Sequence, residues 1–429
     1  MLIVKNGYVT DPATGMAGEK DILIEDGKIR TIAEAGTAET SAEGCDVIDA
    51  AGLYVAPGLV DCHVHFRDPG FTYKEDIDTG AAAAAAGGFT TVVMMGNTDP
   101  HPDSEATVKD MLDRGAKTGI KVLVCGNVTK GMAGKELTDM ESLINAGAVL
   151  FTDDGKPITD AGLMEKACVE AARLNKVISL HEEDPAYITD NGINAGEVAE
   201  KLGITGSPRD AEISMVKRDI EIAERTGASI VVQHISAAES VELIREARKR
   251  GVKVHAEATP HHFTLTQEAV LKYGSLAKMN PPLRLESDRK AIIEGLKDGT
   301  IEMIATDHAP HSREEKAGDI KAAPSGITGL ETSLLLGLRE LVNPGYMTLE
   351  ELIYRMTKGP AMVYGLDAGS IKEGADADLV IFDPKGEWDF VSSRSKSSNT
   401  PFLGARLPGR IYGTICRGNI VYDNGLKKN

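Results

Sequence analysis

The chain has 429 residues, and 42% hydrophobic and 26% charged residues are typical of a soluble globular protein. Its net charge of -18 argues against nucleic acid or an anionic membrane as a partner, because phosphate binding needs an excess of Lys and Arg. Five scattered cysteines without a CxxC motif indicate a reducing compartment. Without a signal-peptide pattern or a long apolar run, we predict a cytoplasmic protein.

Both ends of the chain are rich in short apolar strands separated by turns. At the N-terminal end these strands lie in segments 2–9, 21–33 and 46–58, and at the C-terminal end in segments 376–384 and 409–425. We expect the two ends, residues 1–55 and 366–429, to pair into one small β domain. Two separate hairpins are the alternative.

Residues 56–365 between these ends alternate short apolar strands with helical segments, which is typical of βα units around a parallel sheet. Eight such units in about 300 residues predict an α/β fold of the (β/α)8 TIM-barrel type. A doubly wound open sheet is the alternative, but no GxGxxG follows the first strand. The predicted strands are 58–66, 89–97, 120–128, 148–154, 176–184, 229–236, 252–260 and 301–310.

Histidine and aspartate side chains recur where the predicted barrel strands end, at the face on which barrels carry active sites. His63 and His65 end the first strand, and their i, i+2 spacing points both imidazoles to one face. His181, His234 and Asp307 end the fifth, sixth and eighth strands. Imidazoles and carboxylates without thiolates suit Zn²⁺, with Co or Mn as alternatives, and this number of ligands favours two ions per chain.

A two-metal site needs a bridging anion, and the fourth strand supplies two carboxylates at its end. Asp153 and Asp154 are adjacent, so one of the two can point into the barrel, and we favour Asp154. The strand has no Lys at its end, and Lys156 lies beyond the turn at Gly155. The sequence therefore predicts a carboxylate bridge.

Several motifs in this order make the chain resemble the type I dihydroorotases over nearly its whole length. They are HVHFRDPG (63–70), NTDP (97–100), FTDDG (151–155), HEED (181–184), QHIS (233–236), EATPHH (257–262), KMNPPLR (278–284), ATDHAPH (305–311) and NTPFLG (399–404). The resemblance implies a zinc-dependent, reversible cyclisation of N-carbamoyl-L-aspartate to L-dihydroorotate in pyrimidine biosynthesis.

The resemblance also implies a role for each ligand position. One ion is expected at His63, His65 and Asp307, the other at His181 and His234. Asp154 is then the expected bridge, and Asp307 also the catalytic acid and base that carries the proton between water and the ring nitrogen.

A third set of residues is expected to contact the substrate, below a loop at 312–326 that closes over the site. By resemblance the set is His65, Arg67, Asn97, Asn280, His311, Ser325 and Gly326. Arg67 offers a planar fork for a carboxylate, although a salt bridge to Asp68 or Asp76 is its alternative. Turn or surface roles are the alternatives for the other side chains. Two positions depart from the family pattern: Met95-Gly96 replaces a Pro before Asn97, and Ser325 replaces an aromatic residue.

Two other functions are consistent with parts of this pattern. Allantoinases and dihydropyrimidinases open similar cyclic ureides, but they usually carry a carboxylated Lys that this chain lacks at the fourth strand. A non-catalytic barrel that binds aspartate carbamoyltransferase should have lost ligands, and here all six positions are present. A homodimer and an association with that transferase are expectations at the level of the family.

Overall fold

The computed structural model describes residues 1–37 and 45–428; residues 38–44, inside the predicted N-terminal segment, and residue 429 lie outside it. The N-terminal strands form one sheet, in which β1, β2 and β3 are an antiparallel meander, and β4 and β5 pair parallel to β1. Gly27 makes the β2–β3 turn with a φ of 77°, a conformation that favours glycine. The strands are β1 (Leu2–Asp11), β2 (Met16–Glu25), β3 (Lys28–Glu34), β4 (Asp46–Asp49) and β5 (Tyr54–Pro57).

The central region forms a barrel of parallel strands, which confirms the predicted α/β fold class. Most barrel strands are buried along their length, as expected where helices cover a parallel sheet. The strands are β6 (Leu59–Val64), β7 (Phe89–Met94), β8 (Lys121–Val124), β9 (Val177–Leu180), β10 (Ser229–Val232), β11 (Val254–Ala258) and β12 (Met303–Ile304).

Two arcs, β6–β7–β8 and β9–β10–β11–β12, are closed into the barrel by single bridges. Val64 bridges to His308 on one side. On the other side Phe151 bridges to both Gly126 and Ile178, so the predicted fourth strand, 148–154, is reduced to one bridging residue. The segment leaves strand geometry because Asp153 turns to accept hydrogen bonds from the amides of Val128 and Thr129.

Helices surround the barrel, and their inner faces form the main hydrophobic core with the strands. The Ala-rich first helix starts at Asp76, whose carboxylate caps the Thr79 amide. The helices are α1 (Ile77–Ala86), α2 (Glu105–Gly115), α3 (Met140–Ala146), α4 (Ala161–Arg173), α5 (Glu197–Lys201), α6 (Asp210–Thr226), α7 (Ala238–Lys249), α8 (Pro260–Thr264), α9 (Ala269–Tyr273), α10 (Glu286–Asp298), α11 (Arg313–Lys316), α12 (Ser333–Gly337), α13 (Leu349–Arg355) and α14 (Lys358–Tyr364).

The C-terminal strands complete the N-terminal sheet, which confirms that both chain ends build one β layer. Strand β13 pairs antiparallel with β5, and β16 pairs with β4. The added strands are β13 (Leu379–Asp389), β14 (Arg406–Cys416), β15 (Asn419–Asp423) and β16 (Lys427–Lys428). The domain boundaries at 55/56 and 365/366 stay a prediction. Within residues 1–37 and 45–428, no helix has the length and apolarity needed to cross a bilayer.

Candidate active site

The ends of the barrel strands bring all six predicted metal ligands together. Each side chain is buried, and their ligand atoms fall into overlapping triads in which every atom lies within 4.8 Å of the others. The triads are His63–His65–Asp154, His63–His234–Asp307 and Asp154–His181–His234. Asp154 belongs to two of these triads, so one carboxylate can serve two neighbouring cations.

Asp154 lies at the centre of this cluster, and its two oxygens face different histidine pairs. Oδ2 is 3.2 Å from His65 Nε2 and 3.5 Å from His63 Nε2. Oδ1 is 3.5 Å from His234 Nε2 and 3.6 Å from His181 Nδ1. Asp307 Oδ1 joins the first pair, 3.0 Å from His65 Nε2. One carboxylate is therefore oriented to bridge two positions.

Asp153, the alternative bridge, turns away from the cluster. Its Oδ1 accepts hydrogen bonds from the amides of Val128, at 2.9 Å, and Thr129, at 3.2 Å. The Thr129 hydroxyl donates to its other oxygen. The geometry thus agrees with the choice of Asp154.

Three of the histidines use one ring nitrogen as a donor and turn the other toward the cluster centre. His63 Nδ1 pairs with Glu257 Oε1 at 2.5 Å, His65 Nδ1 with Asn97 Oδ1 at 2.8 Å, and His181 Nε2 with Glu183 Oε2 at 3.2 Å. These bonds orient the three rings, so that the second nitrogen of each faces Asp154. Such outer partners are the usual support of metal-bound histidines.

Glu257 is a functional residue that the sequence reasoning missed. It is fully buried on β11, where it also accepts a hydrogen bond from the His234 amide at 3.2 Å. It therefore supports two ligand positions at once. The available signal was a carboxylate within a short strand with few polar residues, VHAEA.

The electrostatics of the cluster favour positive charge. Burial alone would lower the pKa of His63, but Glu257 and Asp154 raise it well above its ordinary value. Burial also opposes the shift of His181, whose contact with Asp154 raises its pKa to about 10. Conversely, burial would raise the pKa of Asp307, yet His63 and His65 hold it below its ordinary value. A divalent cation is favoured by the same field.

Unpartnered buried atoms provide a direct test of whether a metal fits. Asp154 Oδ1 and His63 Nε2 are buried, and neither has a hydrogen-bond partner among the residues that the structure describes. Such groups are rare in proteins unless an ion or a ligand satisfies them. Oxygen and imidazole donors without thiolates suit Zn²⁺, so the residues fit the metal that the sequence predicts.

Three site residues have left-handed backbones although none is glycine. Arg67, His234 and Asp307 have φ values of 59°, 31° and 46°. Such conformations cost about 1–3 kcal/mol each and persist where the surrounding packing imposes them. Here the strain turns side chains at the ends of β6, β10 and β12 into the barrel mouth.

Arg67 lies beside the cluster without a carboxylate partner among the described residues. Its Nε donates to the Pro310 carbonyl at 3.2 Å, and its Nη2 lies 3.4 Å from His311 Nε2. The predicted alternatives are occupied elsewhere, since Asp68 pairs with Arg114 at 2.5 Å and Asp76 with Lys396. A buried guanidinium of this kind is available to an anionic ligand.

His311 is held in its neutral form beside Arg67. Burial, together with the charges of Arg67 and Lys74, lowers its pKa to about 2. Its Nε2 donates to the Ser325 carbonyl at 2.8 Å, and Lys74 Nζ lies 3.4 Å from its Nδ1. The single N–H of neutral His311 is therefore used on the Ser325 carbonyl, and the ring forms part of the cavity wall.

A cavity of about 380 Å³ opens above the cluster. Ten of the predicted residues line it: His65, Arg67, Asn97, Asp154, His181, His234, Asn280, Asp307, His311 and Ser325. Ser325 Oγ donates to Asn280 Oδ1 at 3.2 Å, which ties two of them together. His63 and Gly326 are not part of this wall. The backbone of Gly326 passes so close to Ala309 O that a Cβ would lie 2.7 Å from it, and its predicted substrate contact stays a prediction.

The family pattern has a Pro before Asn97, and local packing explains why this chain has Gly96 there. A Cβ at Gly96 would lie 2.4 Å from Asn127 Nδ2, so the residue before Asn97 is restricted to glycine by close packing. The Asn97 side chain still reaches His65. The absence of a Pro therefore does not displace Asn97 from the site.

Comparison with known proteins places this geometry in context. The model of the amidohydrolase family matches residues 54–421. The chain is 51% identical to the dihydroorotase of Clostridioides difficile over 99% of this chain and 100% of the relative, and 49% identical to that of Lactococcus lactis over 98% and 99%. Among solved structures it resembles the L-hydantoinase (dihydropyrimidinase) of Arthrobacter aurescens, with a TM-score of 0.86 and 27% identity, over 99% of this chain and 96% of that one.

Proposed function

The chain belongs to the amidohydrolase family, and on that premise we propose the reaction of a type I dihydroorotase, the reversible interconversion of N-carbamoyl-L-aspartate and L-dihydroorotate. The chain acts as a dihydroorotase, a hydrolase of cyclic amides, because its sequence is 49–51% identical to several dihydroorotases over nearly its whole length. The assignment to type I rests on the motifs of the sequence. The observation that carries the proposed chemistry is the division of the two Asp154 oxygens between two histidine pairs.

We assign two Zn²⁺ ions to the strand-end cluster. His63, His65 and Asp307 would hold one ion, and His181 and His234 the other, with Asp154 shared between them. When bound, such ions act as Lewis acids that polarise the ring carbonyl and make water a better nucleophile at neutral pH. The unpartnered atoms of Asp154 and His63 support this assignment.

The residues beside the cluster are suited to hold the carboxylate of the substrate. Arg67 presents a planar, buried guanidinium that forms no salt bridge with any described carboxylate, and His311 lies beside it, with Nε2 3.4 Å from Arg67 Nη2. Asn97 and Asn280 line the same cavity and provide amide groups for the ring. Ser325 completes this wall from the loop side. The ring amide is thereby directed toward the metal ligands, with the carboxylate at Arg67.

Asp307 is the group that moves the proton. During ring opening its carboxylate accepts a proton from the attacking water and delivers it to the ring nitrogen as the C–N bond breaks. During ring closure the carboxylate accepts the proton of the attacking nitrogen as the C–N bond forms and passes it to the departing oxygen. Its position just beyond β12, within the ligand cluster and 3.0 Å from His65 Nε2, supports this role.

The cyclic-ureide hydrolases remain the nearest rivals, because the hydantoinase fold is similar at 27% identity. Two observations favour a substrate with a carboxylate. Identity to dihydroorotases is about twice as high, and Arg67 lacks an internal partner among the described residues. We further propose a cytoplasmic homodimer that binds aspartate carbamoyltransferase. Light scattering and co-purification with the transferase test these two associations.

The substrate class is tested by assaying purified protein on dihydroorotate, allantoin and dihydrouracil, with metal per chain measured on the same sample. We expect zinc and hydrolysis of dihydroorotate, with little activity on the other two compounds. Activity on allantoin or dihydrouracil alone would reject the dihydroorotase function and keep the metal site. A metal-free protein that stays inactive on all three compounds after addition of Zn²⁺ would favour a structural role.

A further inference from the structure

The segment 312–326, which we call the lid, forms one wall of the cavity. Its residues Lys321 to Ser325 face the cavity opposite the metal ligands. The lid contains one short helix, α11, capped by Ser312. The remainder has no regular structure and needs other bonds to hold it over the site.

Lys278 supplies these bonds from outside the lid. Its Nζ donates to the carbonyls of Ile320 at 2.8 Å, Lys321 at 3.0 Å and Ala323 at 2.8 Å. An ammonium group has three donors, and all three are used. The side chain is 2% exposed, and among the described residues no carboxylate forms a salt bridge with it. Lys278 therefore acts on the lid backbone and has no donor left for the substrate.

The backbone of the same residue reinforces this attachment. The Gly326 amide donates to the Lys278 carbonyl at 3.0 Å. Gly192 leaves room for the lysine stem, because a Cβ there would lie 2.8 Å from Lys278 Cγ and Cε. The end of the lid is thus joined to the loop that carries Asn280.

A second lysine, within the lid itself, makes a weaker version of this contact. Lys316 Nζ donates to the carbonyls of Pro324 at 2.8 Å and Gly326 at 3.1 Å. Burial lowers its pKa to about 7, and a neutral amine still has two donors for these two carbonyls. Burial also lowers the pKa of Lys278. Lys278 makes three bonds to lid carbonyls and Lys316 makes two, and of these two lysines it is Lys278 that reaches the lid from outside it.

We infer that Lys278 is a positioning residue that holds the lid over the cavity through three backbone carbonyls and thereby sets the apparent affinity for the anionic substrate. The link to affinity rests on the proposed function, whereas the attachment of the lid does not. If the substrate binds the covered cavity, its apparent dissociation constant rises in proportion to the loss of the covered state. The turnover number changes little, since saturating substrate restores that state.

The test compares Lys278→Met and Lys278→Gln with the native enzyme by hydrogen exchange of peptides from 312–326 and by steady-state kinetics on dihydroorotate. We expect faster exchange in the lid and a KM raised about tenfold for Lys278→Met, with kcat within about threefold. Lys278→Gln keeps two donors and should fall between native and Met. Arg313→Met is the matched control, because Arg313 is an exposed cation of the same lid. It should keep the native exchange rate and KM.

Several outcomes distinguish the lid inference from the proposed function. Native exchange across 312–326 in a folded Lys278 variant overturns the inference. A loss of kcat at unchanged KM overturns its link to affinity. If Lys278→Met does not fold, Lys278→Gln decides by the same readouts. A native enzyme that is inactive on dihydroorotate contradicts the proposed function, while hydrogen exchange still tests the attachment of the lid.

Discussion

Replacing Arg67 by Met removes the group proposed to bind the substrate carboxylate. A guanidinium that holds a carboxylate in a buried site makes two charge-assisted hydrogen bonds, each contributing about 1.5–3 kcal/mol. Losing both costs roughly 3 kcal/mol or more, which lowers kcat/KM at least about a hundredfold. Arg67→Lys keeps the charge but not the planar fork, and we expect about a tenfold loss.

The assay follows dihydroorotate hydrolysis over a range of concentrations, beside dihydrouracil, which lacks the carboxylate. The fall in kcat/KM of Arg67→Met should be confined to dihydroorotate. Arg313→Met, which removes an exposed charge, should have a kcat/KM within about twofold of native. A loss of less than about fivefold on dihydroorotate, or an equal loss on both compounds, would refute the role of Arg67. Thermal unfolding of each variant verifies that the fold is intact.

Three further changes test other parts of the site. Glu257→Gln should weaken zinc binding about 10–100-fold, because it disturbs the orientation of His63. Titration of the apoprotein against a zinc chelator measures the affinity, and a native value would exclude a supporting role for Glu257. Gly96→Ala should lower the free energy of unfolding by about 1–3 kcal/mol, since its Cβ would meet Asn127, and an unchanged urea midpoint would contradict that packing argument. His311 binds a proton near pH 6.5 when unfolded but at about 2 when folded, so stability falls as pH decreases below 6.5, by up to about 1.4 kcal/mol per unit. His311→Gln should flatten this dependence between pH 6 and 4 in urea unfolding, and equal slopes would argue against a neutral, buried His311.

Much of the barrel and its ligand set could be predicted because strand periodicity directs side chains. The i, i+2 spacing of His63, in β6, and His65, just beyond its end, turns both to the inner side of the barrel. The same reasoning favoured Asp154 over Asp153 as the bridging ligand but could not decide between them, because the segment does not continue as a strand. The amides at 128–129 that bind Asp153 come from a different loop, and that pairing has no signal in the local sequence.

The site features that the sequence did not predict are contacts between segments that lie far apart in the chain. The support of His63 by Glu257 spans 194 positions of the chain, and Lys278 reaches the lid across more than 40. The substrate contact expected for Gly326 stays a prediction, and the residue is not among those that line the cavity. Such arrangements depend on how loops pack over the barrel mouth, which periodicity does not determine.

The central claim is that Asp154 bridges two metal ions, and counting metal per chain tests it most directly. We expect about two zinc ions in the native protein and at most one in Asp154→Ala, with dihydroorotase activity largely lost. Asp153→Asn is the matched control, because this neighbouring carboxylate faces the 128–129 amides, and it should retain two ions. Two ions and native activity in Asp154→Ala, or loss of metal in Asp153→Asn alone, would contradict the bridging role.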